Sequence, residues 1–140
     1  MYENIKERLK EYNKIVAQKN EIQLKIRELE ENVGISAMAQ GEAISKTYKI
    51  TSQTENEAIE LAAKKADLKK LISSYQLDID RIDNALNSLY YLDKQAIEIL
   101  YVQRRSVESA CYMMNRSRKI IFKYANRGLK EMNDLFNLAS

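Results

Sequence analysis

The chain has 140 residues and a mass of 16.3 kDa, which leaves room for one or two small structural units. It contains no proline and only three glycines, and 31% of its residues are charged, so its composition predicts an all-α protein. The net charge is only +3, histidine is absent and Cys111 is the single cysteine, which argues against a transition-metal site and excludes an internal disulfide.

Residues 2–33 are predicted to form one long amphipathic helix. Their apolar side chains recur every three or four positions, which is the spacing that places them on one helix face. Gly34 is expected to end this helix, because glycine is favoured just beyond a helix C-terminus. Residues 34–54 contain two glycines and end in a polar Thr/Ser stretch, so we interpret them as a connector.

A second long helix is expected to begin at the capping box Thr54-Glu-Asn-Glu57, in which each of the two outer side chains bonds the other residue's backbone N–H. From Leu68 onward its apolar residues alternate between spacings of four and three, which is the heptad pattern of a coiled coil. This stripe must be buried against residues 2–33 folded back as an antiparallel hairpin, against another copy of the chain, or against both. We assign it to homo-oligomerisation, with a dimer favoured, through Leu68, Ile72, Tyr75, Ile79, Ile82 and Leu86.

The pattern of residues 106–130 is typical of a helix-turn-helix. A first helix is predicted over about Val107–Met114, followed by a turn in which Asn115 suits a left-handed backbone conformation. Ser117 is expected to cap the second helix. Gly128 inside that helix costs about 1 kcal/mol relative to alanine, so we expect it to pack closely against a neighbouring helix. The side chains expected to face inward are Ala110, Cys111, Met114, Ile121, Tyr124 and Leu129.

Asp93 is expected to cap a short helix over residues 94–103, which would pack on the helix-turn-helix to form a three-helix core. The predicted fold class is therefore all-α, with a long N-terminal helical hairpin or coiled coil and a small C-terminal helix-turn-helix bundle. In terms of domains, residues 1–92 would form the oligomerisation region, with the connector at about 34–54. Residues 93–140 would form the DNA-binding domain.

Positive charge is concentrated in the C-terminal part of the chain. Residues 101–130 carry eight Lys/Arg and one Glu, a net charge of +7, whereas the whole chain carries only +3. A surface that binds DNA phosphates requires such a concentration, so we predict that this segment binds double-stranded DNA. The candidate DNA-binding residues are Arg104, Arg105, Arg116, Ser117, Arg118, Lys119, Phe122, Lys123, Asn126 and Arg127.

Several segments between Thr51 and Phe136 carry a resemblance to a known family. They are Arg81-Ile-Asp-Asn-Ala-Leu-Asn-Ser-Leu89, Ala96-Ile-Glu-Ile-Leu-Tyr101, Ser106-Val-Glu-Ser-Ala-Cys111, Met114-Asn-Arg-Ser117 and Ile121–Leu129. In these segments the chain resembles the phage late-gene transcriptional regulators of the RinA/ArpU type. The C-terminal unit of those proteins is similar to the last DNA-binding region of sigma-70 factors.

The resemblance implies an N-terminal coiled coil, a C-terminal helix-turn-helix and activation of phage late or packaging genes in the bacterial host. It implies promoter DNA as a partner, and bacterial RNA polymerase is a further expected partner. Arg118, Lys119, Phe122 and Lys123 would read bases, and Asn126 and Arg127 would lie towards the phosphates. The departures from the family pattern are Asn115 in place of the usual glycine, Cys111 in place of the usual alanine, and Phe122 where a basic or polar residue is usual. Phe122 would either contact a thymine methyl group or lie in the core.

Other function classes find little support in the sequence. There is no glycine-rich phosphate-binding loop, no CxxC and no HExxH, so we predict a protein that is not an enzyme and takes no cofactor. No apolar run reaches about 18 residues, as a membrane-spanning helix requires. The N-terminus lacks the apolar core of a signal peptide. We therefore expect a cytoplasmic protein without membrane association.

Two alternatives to a transcriptional regulator stay open. A small terminase subunit, which packages DNA, also joins a helix-turn-helix to a coiled-coil oligomer, but it is expected to assemble as a large ring. A helical scaffold or protein inhibitor would not bind DNA, and its basic residues would form a solvated or protein-binding face.

Overall fold

A computed structural model describes the backbone of residues 1–41 and 51–138, and the side chains of residues 1–32 and 54–138. Within these ranges the helices are α1 (Glu3–Gly41), α2 (Thr51–Asn87), α3 (Tyr91–Ile97), α4 (Val107–Met114) and α5 (Arg118–Phe136). A π-helical segment, Glu98–Val102, continues α3. The described residues contain no strand, and the predicted all-α fold class is confirmed.

The ends of the two long helices differ from the prediction. Helix α1 continues through Gly34 to Gly41, so the predicted stop at Gly34 is wrong. Glycine inside a helix costs only about 1 kcal/mol relative to alanine, and good helix formers such as Ala37 and Met38 follow it. Helix α2 begins at Thr51, so Thr54 lies inside the helix and is not its N-cap. The predicted connector is therefore helical over 34–41 and 51–54, and its remainder, 42–50, lies outside the described residues.

The chain divides into two compact units, which we call unit 1 (Met1–Val16 and Leu77–Ser140) and unit 2 (Ala17–Gln76). In unit 2, α1 and α2 contact each other in antiparallel order. Lys19 Nζ donates to Gln76 Oε1 at 2.9 Å, and Lys65 Nζ lies 3.2 Å from Glu30 Oε1. The partner positions fall along α2 as they rise along α1, so these segments of the two helices run antiparallel within unit 2.

The core of unit 1 brings together residues from both ends of the chain. Its buried members come from α1, α2, α3 and α5, and from the short link after α2. They are Ile5, Leu9, Ile82, Ala85, Leu86, Leu89, Ala96, Ile97, Ala125, Leu129 and Met132. The first turns of α1 thus share a core with α5. The sequence predicts a different division, in which residues 1–92 stand apart from residues 93–140.

Polar contacts also join the start of α1 to the rest of unit 1. The Tyr12 hydroxyl donates to Asp83 Oδ1 at 2.7 Å, and Asn13 Nδ2 donates to the Val102 carbonyl at 3.2 Å. Burial, followed by the hydrogen bond to Asp83, raises the pKa of Tyr12 to about 12. The Arg8 guanidinium lies 4.3 Å from the centre of the Phe136 ring, near the end of α5. These contacts fix the position of the first turns of α1 along α2 and α5 within unit 1.

Helices α3 and α5 approach each other closely at Gly128. A Cβ atom placed on Gly128 would overlap the Cδ1 atom of Ile97, and it would lie 3.4 Å from the Asp93 Cβ. Gly128 and Ile97 are both buried. The expectation that Gly128 packs against a neighbouring helix is therefore confirmed, and the neighbour is α3.

Replacing Gly128 with alanine should crowd Ile97 and cost about 1–3 kcal/mol of unfolding free energy. A gain in helix propensity of about 1 kcal/mol would offset part of this cost. Ile97→Val removes the methyl group that the new side chain would meet, and alone should cost about 0.5–1.5 kcal/mol. The double variant should therefore lose less than the two single losses combined, as measured by urea unfolding. Additive losses would show that Ile97 is not the side chain that Gly128→Ala displaces.

Candidate nucleic-acid interface

Helix α4 and the turn after it are defined by local hydrogen bonds. The Ser106 Oγ caps α4 by accepting from the Ser109 N–H at 3.1 Å. The helix ends at Asn115, which adopts the left-handed conformation with φ 53° and ψ 49° and donates its N–H to the Cys111 carbonyl. Asparagine tolerates this backbone conformation better than most residues. The helix range and the left-handed Asn115 agree with the sequence prediction.

Helix α5 begins immediately after the turn. Its N-cap is Ser117, whose Oγ accepts from the Ile120 N–H at 3.4 Å. On the inner side, Ile121 is fully buried in a second small cluster with Ile99 of the π-helical segment and Ala110 of α4. The predicted inward set is confirmed, since Ala110, Ile121 and Leu129 are buried and Cys111, Met114 and Tyr124 are half-buried. This packing holds α4 and α5 at a set orientation.

The opposite side of α5 and of the turn is exposed and rich in basic side chains. Phe122 belongs to this outward side, with 37% of its surface exposed, and the Arg118 guanidinium lies 5.6 Å from its ring centre. The rotation of α5 therefore places Phe122 outside the core. We call this exposed set the basic face, and its members are Arg116, Ser117, Arg118, Lys119, Phe122, Lys123 and Asn126.

The cations of the basic face differ in whether a neighbouring carboxylate holds them. Arg118 Nη1 donates to Glu108 Oε1 of α4 at 3.2 Å, and both side chains are well exposed. Such exposed pairs contribute under about 1 kcal/mol, so Arg118 exchanges partners at little cost. Within the described part of the chain, Arg116, Lys119 and Lys123 make no ion pair. Their charges are available to an anionic ligand.

Arg127 is held by a different kind of contact. Its Nε and Nη2 atoms donate to the two carboxylate oxygens of Asp93 at 2.8 and 2.7 Å. The Asp93 side chain is fully buried, whereas 44% of the Arg127 side chain remains exposed. The hydrogen bonds to Asp93 raise the pKa of Arg127, so this guanidinium stays charged. An arginine expected near DNA phosphates instead has a protein carboxylate as its partner.

The same pair corrects the role predicted for Asp93. Helix α3 begins at Tyr91, its N-cap is Tyr90, and no side chain caps it. Asp93 therefore lies inside the helix, and the predicted helix over 94–103 is an α-helix that ends at Ile97 and continues as the π-helical segment. The sequence contains a signal for the burial of Asp93. Asp93 stands three and four positions before the apolar residues Ala96 and Ile97, so it lies on the inward side of the helix.

The remaining candidate arginines precede α4. Arg104 has a positive φ of 57°, and Arg105 donates from Nε to Gln103 Oε1 at 2.9 Å. Both are exposed. Two large side chains of α4 are also exposed: Tyr112, with 89% of its surface exposed, and its neighbour Met113.

The residues assigned to oligomerisation are placed partly inside the chain's own core. Ile82 and Leu86 lie in the unit 1 core, and Ile79 is also buried. Leu68, Ile72 and Tyr75 are half-buried. A single copy of the chain therefore covers the C-terminal half of the heptad stripe, and assembly into an oligomer stays a prediction.

Comparison with protein-family models, with curated proteins and with solved structures gives no match for this chain. The likeness to the RinA/ArpU-type regulators accordingly stays a prediction from the sequence. Among the described helices, none combines the length and the apolar content needed to cross a membrane.

Proposed function

We propose that the chain is a sequence-specific DNA-binding transcriptional regulator in which α5 reads bases in the major groove. The observation that carries this proposal is the basic face itself. A capped helix, a left-handed turn and a second capped helix are packed together on one side and present cations on the other. Helix-turn-helix proteins place a recognition helix on DNA with a similar order of helix, turn and helix, and this likeness supports the proposal.

The dimensions and chemistry of α5 suit the major groove. An α-helix with its side chains is about 10–12 Å across, and the groove is about 12 Å wide. Lys123 can donate to guanine O6 and N7, and the exposed Phe122 ring can contact a thymine methyl group. Lys119 lies one helical turn before Lys123 and shares its side of the helix.

The finer identity that we propose is an activator of phage late or packaging genes that acts with bacterial RNA polymerase. Its support is the sequence resemblance over Thr51–Phe136, together with the charge of +7 over residues 101–130. We further propose that two copies of the chain bind one site, since helix-turn-helix dimers contact two half-sites about one helical turn of DNA apart.

Selection from a random 20-base-pair duplex library, followed by binding measurements on the enriched duplex and on a scrambled one, tests the proposal. Lys123→Ala should weaken binding to the enriched duplex by about 1–3 kcal/mol and relax base preference at one position. Arg105→Ala should weaken binding to both duplexes about equally and lower the slope of log affinity against log salt by about one unit.

Lys70→Ala is the matched control, because it removes the same charge from an exposed lysine of unit 2. It should leave both the base preference and the salt slope of the wild type unchanged. If the wild-type chain enriches no duplex and binds neither probe in a salt-dependent manner, the proposed function is wrong, and the scaffold alternative takes its place.

A further inference from the structure

The pair formed by Asp93 and Arg127 is unusual within this chain. Asp93 is the buried charged side chain of the described residues, with none of its surface exposed. A buried carboxylate is retained only when it is paired and hydrogen-bonded. Arg127 meets this need with two short bonds, and the rings of Tyr90 and Tyr124 lie 5.6 and 5.7 Å from its guanidinium carbon. The guanidinium therefore has one carboxylate partner and lies near two tyrosine rings, while 44% of the Arg127 side chain stays exposed.

This pair restricts how α5 can sit on α3. A guanidinium and a carboxylate form two parallel hydrogen bonds only in one planar arrangement. The next residue of α5, Gly128, contacts α3 one helical turn beyond Asp93, at Ile97. Two adjacent positions of α5 thus meet two positions of α3 that are a turn apart. Rotation of α5 about its axis, or a shift along it, would break the hydrogen bonds to Asp93. It would also push other α5 atoms against Ile97.

The rotation of α5 decides which side chains point outward. Lys119, Lys123 and Arg127 follow one another at intervals of four residues, so the direction of Arg127 and the direction of the two lysines are linked through the rigid helix. We infer that Arg127, held by Asp93, is a positioning residue that orients the base-reading side chains of α5 and is not itself a phosphate contact. This inference rests on the proposed function and deepens it.

A charge-matched variant separates the positioning role from a phosphate contact. Asp93→Asn combined with Arg127→Gln removes the ion pair, leaves the net charge at +3 and keeps two amide groups that can hydrogen-bond. Binding is measured on the enriched and scrambled duplexes at a temperature at which circular dichroism shows each protein to be fully folded. The ratio of the two affinities reports base reading, and the salt slope reports phosphate contacts.

For the positioning role, the double variant should show an affinity ratio lowered about fivefold or more, which is the smaller effect of one lost base contact, with an unchanged salt slope. Asp93→Asn alone should lower the ratio as well, although it changes no exposed residue. A phosphate contact predicts the reverse: a salt slope lower by about one unit in the double variant, an unchanged ratio, and no loss from Asp93→Asn. That outcome, or an unchanged ratio and slope in both variants, overturns the inference.

Arg127→Lys covers the case in which the other variants do not fold, because it keeps a cation beside Asp93 and loses only the planar fork. The positioning role predicts a lowered affinity ratio for this variant, whereas a phosphate contact predicts that the ratio and the slope are both kept. If the wild type enriches a sequence but every variant keeps its ratio, only the positioning role is wrong. If the wild type itself binds no duplex, the proposed function fails and the inference fails with it.

Discussion

Replacing Leu9 with alanine is expected to lower the free energy of unfolding by about 2–5 kcal/mol, although Leu9 lies near the start of the chain. Leu9 is fully buried in the unit 1 core, where it packs with residues of α2, α3 and α5. The substitution removes apolar contacts and leaves a cavity among side chains that cannot all move to fill it. Urea unfolding followed by circular dichroism measures the loss.

Leu24→Ala provides the matched control for this prediction. It makes the same change in the same helix, but 55% of the Leu24 surface is exposed, so the loss should stay within about 0.5 kcal/mol. Equal losses in the two variants would contradict the packing of Leu9 in unit 1. Repeating the measurement at several protein concentrations adds a second criterion. A midpoint that rises with concentration would indicate that another copy of the chain contributes to the burial.

The second large effect is expected at Ile121, where alanine should cost about 2–5 kcal/mol of unfolding free energy. Ile121 is fully buried and is the residue of α5 that packs with Ile99 and Ala110. Its loss should therefore loosen α5 from α4 and from the π-helical segment. The same unfolding measurement applies.

The neighbouring residue Ile120 supplies the control, because 36% of its surface is exposed and it lies outside the buried clusters. Ile120→Ala should cost less than Ile121→Ala, since it removes less buried area and gains helix propensity. A larger loss from Ile120 than from Ile121 would mean that α5 is rotated by about one residue. Such a rotation would also turn Phe122 and Lys123 away from the directions on which the proposed function depends.

Several features near α4 and α5 were predictable because they depend on residues a few positions apart. Ser117 needs only the N–H of Ile120, and Asn115 needs only a backbone conformation that its own side chain tolerates. The alternation of apolar and charged residues along α5 likewise determines which side is buried. The close packing at Gly128 could be expected, because glycine inside a helix weakens it unless packing compensates.

The ends of the long helices were predicted less well. The start and stop signals there are worth only about 1 kcal/mol, so the helix propensity of the flanking residues can outweigh them. Gly34 carries a stop signal worth about 1 kcal/mol, and favourable flanking residues outweigh it. Thr54 and Glu57 satisfy the capping-box pattern, but the pattern applies only to a residue that stands at the helix start. Because α2 already begins at Thr51, the Thr54 signal is not used.

The sequence by itself determined the all-α class, the helices on either side of Asn115 with the Ser117 cap of the second, and the concentration of positive charge on one side of α5. Only the tertiary structure decided that Tyr12 meets Asp83, 71 residues away, and that Arg127 meets Asp93, 34 residues away. The physical reason is the range of the forces involved. Caps, turns and helix periodicity act over about four residues, whereas these pairs form only when packing of the whole unit offsets the entropy lost in closing long loops.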